Sequence, residues 1–448
     1  MHISRSPDPR KWALVTALVV GTTGCDDGAK TPALSLSEGI VRNAPVPPEN
    51  GPQLGVVSKE IQVREYSDPG APSLGALRAG SRVARSAEPV SHKGCAGGWY
   101  AVRPRGFVCV GAEATLDLKH PTLAAMALAP QRDAELPYTY ARAKSETPLF
   151  ERVVGEDDSV REVGRLHRRA GMAVVGSWRA KEPGGADSRL ALLTDGRFVR
   201  ASDLEAAKPS DFEGVELGKR ELPLAFVVKR GVRTFRINDG EAEKGDLLEY
   251  HAELPLTGRF RTLGKTKYWA YPGRGEELWV RHQDVTVVQK RTAFPEFVRD
   301  QTRWLDVSVT AGTLVAYEGK RATFATLLSV ARELPETETE TRTVSDLSIP
   351  LGTSTVRSKA LSTSLSAPSF GEPFEVADVP WALELSSGQL LHGAYWHDRF
   401  GIEHGAGTLA LSPRDAARVF RFLGPELPPG WHAVALPPEQ GARVVLRK

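Results

Sequence analysis

Beyond position 109 the chain has no cysteine, so nothing downstream can supply a thiol nucleophile or a thiolate metal ligand. A surplus of charge is missing too. Fifty-eight Lys and Arg face fifty-five Asp and Glu, a formal net charge of +3, and the positive residues are spread along the chain, which leaves nucleic-acid binding without electrostatic support. Apolar runs long enough to cross a bilayer are also missing: the stretch 12–20 is too short to span one stably. Residues 56–117 show no helical period of useful length. At 448 residues the chain predicts more than one domain, because single hydrophobic cores stop growing at roughly 250 to 300 residues.

What is present at the N-terminus reads as delivery. Arg5, Arg10 and Lys11 precede the apolar run 12–20, and small residues lead to Cys25, the pattern of an export signal over 1–24. Gly21-Thr22-Thr23-Gly24-Cys25 resembles a bacterial lipobox, which implies lipidation of Cys25 and a lipoprotein at the periplasmic face of the cell envelope. The alternative is an ordinary signal peptide with an incidental cysteine. Residues 25–54, rich in Pro, Gly, Ser and Asn, are expected to form a disordered tether. In an exported protein the remaining pair, Cys95 and Cys109, reads as a disulfide worth on the order of 3 kcal/mol by loop closure, with a redox pair as the less favoured reading because the spacing is not Cys-x-x-Cys.

Residues 56–117 alternate short β-branched runs with Gly and Pro turns, as an all-β unit does, and resemble a bacterial SH3-like domain. An internal echo extends that reading. Gly75 to Gly80 with Val83 recurs as 164–171 with Val174, and the GFVCV around Phe107 recurs as GRFVRASDL and LWVRHQDV. Three SH3-like units are therefore placed at 55–120, 136–208 and 221–290, the third carried by the weakest match. Trp99, Tyr100, Tyr268 and Trp269 occupy equivalent places in two of them and read either as stacking residues for a sugar or peptide or as small-barrel core.

The stretch 391–420 organises the rest. Ser412 is placed to cap a helix, Pro413 suits its first position and Asp415 lies three residues past the cap, so a helix is predicted from Pro413 to about Leu423. Gly424 in a left-handed conformation and Pro425 would end it. The glycine-rich run before it should deliver residues 404–408 to the helix N-terminus, where an anion is favoured.

LHGAYWHDRFG, then LSPRDA, then ELPPGWHAV is similar to the catalytic domain of the L,D-transpeptidase (YkuD) family. Residues 302–332 resemble its first strands, 348–359 its Thr-Pro-x-Gly turn near Pro350 and Gly352, and 376–385 the strand leading into its histidine. The resemblance covers 297–436 and leaves 437–448 as a C-terminal tail. It implies a mainly β chain, tandem SH3-like barrels followed by an L,D-transpeptidase-like β-sandwich with few short helices. Residues 333–345, acidic and Thr-rich, read as an exposed loop within it.

The family carries a His-Gly pair and then Ser-His-Gly-Cys, whose cysteine is the acyl-accepting nucleophile. His392 and Gly393 match the pair. Aligned without a gap onto the following LSP, the second motif falls on Gly405, Ala406, Gly407 and Thr408, so the catalytic-histidine position holds Ala406 and the nucleophile position holds Thr408; with His404 and Gly405 taken as its His-Gly instead, the nucleophile position falls on Ala406, and neither register supplies a thiol. The resemblance thus implies a site without its general base or its thiol, retaining His392, Gly393, His397 and Gly407 for binding. His392 and His397 read equally as packed, hydrogen-bonded core histidines. His392, His397 and His404 match no zinc motif, and no metal or cofactor is expected. The expected function is an exported lipoprotein whose inactive transpeptidase-like domain acts in peptidoglycan binding, to a stem peptide or glycan, or in cell-wall scaffolding. The alternatives are an acyltransferase or hydrolase using Thr408 and a purely structural envelope lipoprotein.

Overall fold

In a computed structural model the described residues are 39–126, 130–153, 155, 159–218, 220–330, 349–367, 374–402 and 408–448. The expected signal segment, Cys25, the 333–345 loop, His404 and Gly405 to Gly407 lie outside them. Strands carry the fold, as composition and pattern predict, with two α-helices among the described residues, Pro121–Ala125 and Pro413–Phe422.

The C-terminal region is built from two sheets that share one long strand. In the first, Arg303–Ser308, Thr313–Glu318 and Arg321–Leu327 form an antiparallel meander, and Val215–Glu216 pairs along its outer edge. Arg443–Arg447, within the segment read as a tail, lies inside this sheet, parallel to Arg303–Ser308 and antiparallel to the start of Gly352–Ala367. Val444, Val445 and Leu446 are all buried there, which a five-residue strand achieves only when partners distant in sequence close around both of its faces. Gly352–Ala367 then crosses into the second sheet and pairs with Phe374–Leu385 and Ala433–Ala435. Beyond Phe374–Leu385 come Leu390–Gly393, Leu409–Leu411 and Ser329–Val330.

The upstream units are small β assemblies joined to this frame. Ser73–Arg78 pairs with Ala433–Ala435, so the first unit and the C-terminal region share a ladder. Gly75 is needed at the junction, because a Cβ there would lie 2.1 Å from the Ala433 carbonyl and its φ is +153°. Residues 39–52, expected in a disordered tether, are held on the first unit. Ser67 Oγ accepts from Val41 N–H at 2.7 Å, and Ser91 and Arg103 donate to the Gly39 and Pro47 carbonyls. The disulfide between Cys95 and Cys109 is formed.

The echo between the second and third units has a physical basis. Phe198–Arg200 and Glu277–Arg281 each run into a single 3-10 turn, Ala201–Asp203 and His282–Asp284, in which the arginine ending the strand meets the aspartate three residues later, at 3.7 Å for Arg200–Asp203 and 2.8 Å for Arg281–Asp284. Trp99, Tyr100, Tyr268 and Trp269 are 2–8% exposed, which makes all four core residues and removes them as a stacking platform. Trp99 Nε1–H donates to the Lys93 carbonyl and Trp269 Nε1–H to His282 Nδ1, as buried indoles require.

The long helix begins as its sequence predicts. Ser412 Oγ accepts from Asp415 N–H at 3.2 Å and Pro413 opens the first turn. Its end is different. Gly424 does not adopt a left-handed conformation. Instead Leu423 leaves the helix in extended geometry, and the buried Lys359 ammonium donates to the Phe420, Leu423 and Pro425 carbonyls. Burial pulls Lys359 down to about 8, so it remains charged at neutral pH and its three protons meet three carbonyls at the negative end of the helix.

Candidate functional site

Leu390–Gly393 and Leu409–Leu411 run parallel with His392 beside Ala410, which brings the His392 ring to Thr408 at the mouth of the second strand. His392 Nε2 lies 3.0 Å from Thr408 Oγ1, and His392 Nδ1 lies 3.0 Å from the Gly393 carbonyl oxygen. A carbonyl only accepts, so Nδ1 carries the proton, Nε2 offers its lone pair, and the Thr408 hydroxyl donates to it. The retained histidine thus stands beside Thr408 through a contact sixteen residues apart in sequence.

The order hydroxyl, imidazole, carbonyl is that of a nucleophile, a base and a group that orients the base. Its electrostatics oppose that role. His392 is 0% exposed, and burial pushes it down to about 4, with the Gly393 carbonyl acting weakly in the other direction. A proton taken from Thr408 would create an imidazolium in an apolar enclosure, facing a neutral carbonyl in place of a carboxylate.

This burial has a measurable consequence. Because the folded-state value lies below the ordinary 6.5, the unfolded chain takes up the proton first as pH falls. The contribution is complete above pH 6.5, and about 3 kcal/mol of it is lost as pH falls through about 4. His392→Gln should show a correspondingly smaller drop in urea stability between pH 7 and pH 4 than the unsubstituted chain. Equal drops would mean that the imidazole is not shielded from water.

His392 and Gly393, expected as binding residues, are both wholly buried and so cannot touch a ligand as they stand. Gly393 serves packing: a Cβ would sit 3.0 Å from Pro380 Cγ and 3.2 Å from Ala416 Cβ, where the helix crosses the strand. Thr408 is half-buried. His397, also half-buried, accepts from Arg399 N–H at Nδ1, which leaves its Nε2–H facing Ser329 Oγ at 3.5 Å. Trp396 covers the site, its ring parallel to His392 with centroids 5.7 Å apart. Among the described residues no group of three His, Cys, Asp or Glu side chains is placed to hold a metal ion.

The helix N-terminus is not part of this site. Leu409–Leu411 separates Thr408 from Ser412 by roughly 13 Å of extended chain, at about 3.3 Å per residue. That end of the helix is already filled. Asp415, 0% exposed, accepts from Gly214 N–H at 3.0 and 3.2 Å and from the Thr326 hydroxyl, and burial pushes its carboxyl up to about 7.

Beside Trp396 and His397 runs a groove of about 890 Å³ whose other walls come from the upstream units, including Arg142, Arg230, Tyr250 and His251. Asp398 at its rim pairs with Arg230 at 2.8 Å and accepts from the Tyr250 hydroxyl at its carbonyl. Arg142, Tyr250 and His251 stand in no motif and carry no local signal, so sequence reasoning misses them. Topology alone brings them to residues 396–398.

No family model matches the chain, and no curated protein matches it. Among solved structures it is similar to a cysteine-to-serine variant of an Enterococcus faecium L,D-transpeptidase over 36% of this chain and 54% of that one, at 15% identity and a TM-score of 0.24, so the chain spans about half of that protein's length. It is also similar to L,D-transpeptidase 3 from Mycobacterium tuberculosis in complex with a faropenem-derived adduct, over 43% and 79% of the two chains at 16% identity and a TM-score of 0.24. A third is an L,D-transpeptidase from Mycobacterium smegmatis, over 55% and 89% at 12% identity and a TM-score of 0.25. Likeness this remote adds nothing to the chemistry of the site, which rests on His392, Thr408 and their surroundings.

Proposed function

We propose that the chain is an exported, lipid-anchored protein of the cell envelope whose last domain binds a peptidoglycan stem peptide or glycan and does not carry out acyl transfer. One observation supports the loss of catalysis above the rest: the nucleophile position is a threonine hydroxyl bonded to a wholly buried imidazole that is held neutral. A Thr hydroxyl is far less acidic than a thiol and needs a base that can hold the proton it gives up. Here the base is desolvated and its orienting partner is uncharged. The groove beside Trp396 and His397, walled by both cationic and anionic side chains, suits a ligand carrying charges of both signs.

Purified protein should co-sediment with isolated sacculi, and Trp396→Ala should weaken that retention several-fold. Failure of the unsubstituted protein to sediment would favour the purely structural reading. The 3.0 Å bond from Thr408 to His392 favours a second reading, a hydrolase or acyltransferase that uses Thr408, and covalent labelling separates the two. Anchoring rests on the lipobox-like residues ending at Cys25. Cys25→Ala should release the protein from the membrane fraction or block its processing, and a variant that keeps both its location and its processed size would reject lipidation.

A further inference from the structure

A cavity of about 440 Å³ opens where the first unit, the second unit and the C-terminal region meet, and it shares no lining residue with the His392–Thr408 site. Arg78, Arg82 and Arg132 bring positive charge to it, while Leu123, Met126 and Trp431 give it an apolar wall. One polar atom at this place is unsatisfied. His432 lies in the wall, 2% exposed, and its Nε2 is 2.8 Å from the Ser362 carbonyl. The carbonyl only accepts, so Nε2 carries the proton and Nδ1 is a bare acceptor, buried and without a hydrogen-bond partner among the described residues. Arg78, 7% exposed, spends Nη1 on Asp378 and Ser362 and pairs through Nε with Glu60 at 3.6 Å, so its charge is already met. Arg132 is held as a fixed charge by donating to the Leu427, Pro428 and Trp431 carbonyls.

An unmet acceptor, the charges of Arg82 and Arg132 and an apolar wall together define a complement. An anionic oxygen meets the field of these two arginines, an N–H meets His432 Nδ1, and an apolar side chain lies along Trp431 and Leu123. We propose that this cavity binds a small amphiphilic carboxylate carrying its own N–H donor, the chemistry shared by an N-acylated amino acid and the C-terminal residue of a peptide. Its volume is within the range of small-molecule sites, roughly 300 to 1,000 Å³. The proposal is independent of the reading of Thr408.

Isothermal titration of the purified full-length chain with N-acetylleucine, N-acetylleucinamide and the tripeptide Ala-Ala-Leu tests it. Saturable binding with one site per chain is expected for at least one of the two carboxylates, and which of them binds tighter tells a free acylated amino acid from a peptide terminus. The amide should bind at least tenfold more weakly. Arg82→Glu, a reversal at an exposed lining residue, should weaken carboxylate binding about tenfold with an unchanged melting temperature. No saturable binding by either carboxylate would overturn the proposal, as would equal affinity for the amide, or affinity unchanged in Arg82→Glu. In any of those cases the unmet His432 Nδ1 belongs to a buried water site.

Discussion

Asp378→Asn should cost the protein about 3–5 kcal/mol of urea stability, the scale on which a buried charge left without its partner is felt. Asp378 is 2% exposed, and it gathers groups from three parts of the chain. Its carboxylate accepts from Arg78 of the first unit, from Thr194 of the second and from Ser362 of the neighbouring strand, while its own carbonyl accepts from the Tyr140 hydroxyl at 2.7 Å. Burial pushes the carboxyl up, but the Arg78 charge and the hydrogen bonds from Thr194, Arg78 and Ser362 outweigh it and hold the group ionised, below its usual range. Asparagine keeps the shape and tolerates the φ of +57° found at this position, so the substitution isolates the charge. The variant strands the Arg78 guanidinium in a buried place. Adding Arg78→Met should then recover more than 1 kcal/mol relative to the sum of the single changes, because the second substitution removes the charge that the first left unpaired. Single and double variants whose costs simply add would show that Arg78 and Asp378 do not act as a pair.

The second large effect concerns covalent chemistry. Incubated with a carbapenem, the unsubstituted protein should gain no adduct at Thr408, because the adduct on an L,D-transpeptidase is a thioester; Cys95 and Cys109 are tied in a disulfide, and Cys25 is the residue proposed to carry the lipid. Thr408→Cys should acquire the adduct slowly. Its sulfur would stand beside His392 Nε2, within reach of an imidazole, but burial that holds the imidazole near 4 also opposes the thiolate–imidazolium pair. Adding Gly405→Ser and Ala406→His to Thr408→Cys should accelerate labelling to near-complete occupancy by supplying the second imidazole of the family motif. Intact-protein mass spectrometry reads all three proteins directly. A mass increment on the unsubstituted chain that maps to Thr408 would make the threonine a working nucleophile and end the binding-only reading.

Features whose causes lie within a few residues were legible in the sequence. Ser412, Pro413 and Asp415 determine a helix start because capping is completed inside one turn, and the structure begins the helix at Pro413. Residues 376–385, a strand by the family resemblance, lie within the strand Phe374–Leu385, and Cys95 meets Cys109, the pair left over once Cys25 is assigned to the anchor. The Val-Arg-x-x-Asp echo was visible as a repeat before its ion pairs were, because both partners sit on one turn. That residues 405–408 hold no cysteine is a matter of residue identity and needs no coordinates.

Tertiary structure decided everything that depends on which distant segments become neighbours. Nothing near Lys359 announces that its ammonium closes a helix some sixty residues later, and nothing near Arg443 announces a strand between Arg303–Ser308 and Gly352–Ala367. Asp415 looked like a capping-box residue, yet its carboxylate is turned to Gly214 and Thr326, because pairing of Val215–Glu216 along the sheet edge brings that backbone to the helix start. The site itself divides the same way. Sequence alone determined that residues 405–408 read Gly-Ala-Gly-Thr, with neither a histidine nor a cysteine among them. Only the parallel pairing of Leu390–Gly393 with Leu409–Leu411 put the His392 imidazole 3.0 Å from that hydroxyl and sealed it from water, and burial, a property of the assembled core, is what keeps the imidazole neutral.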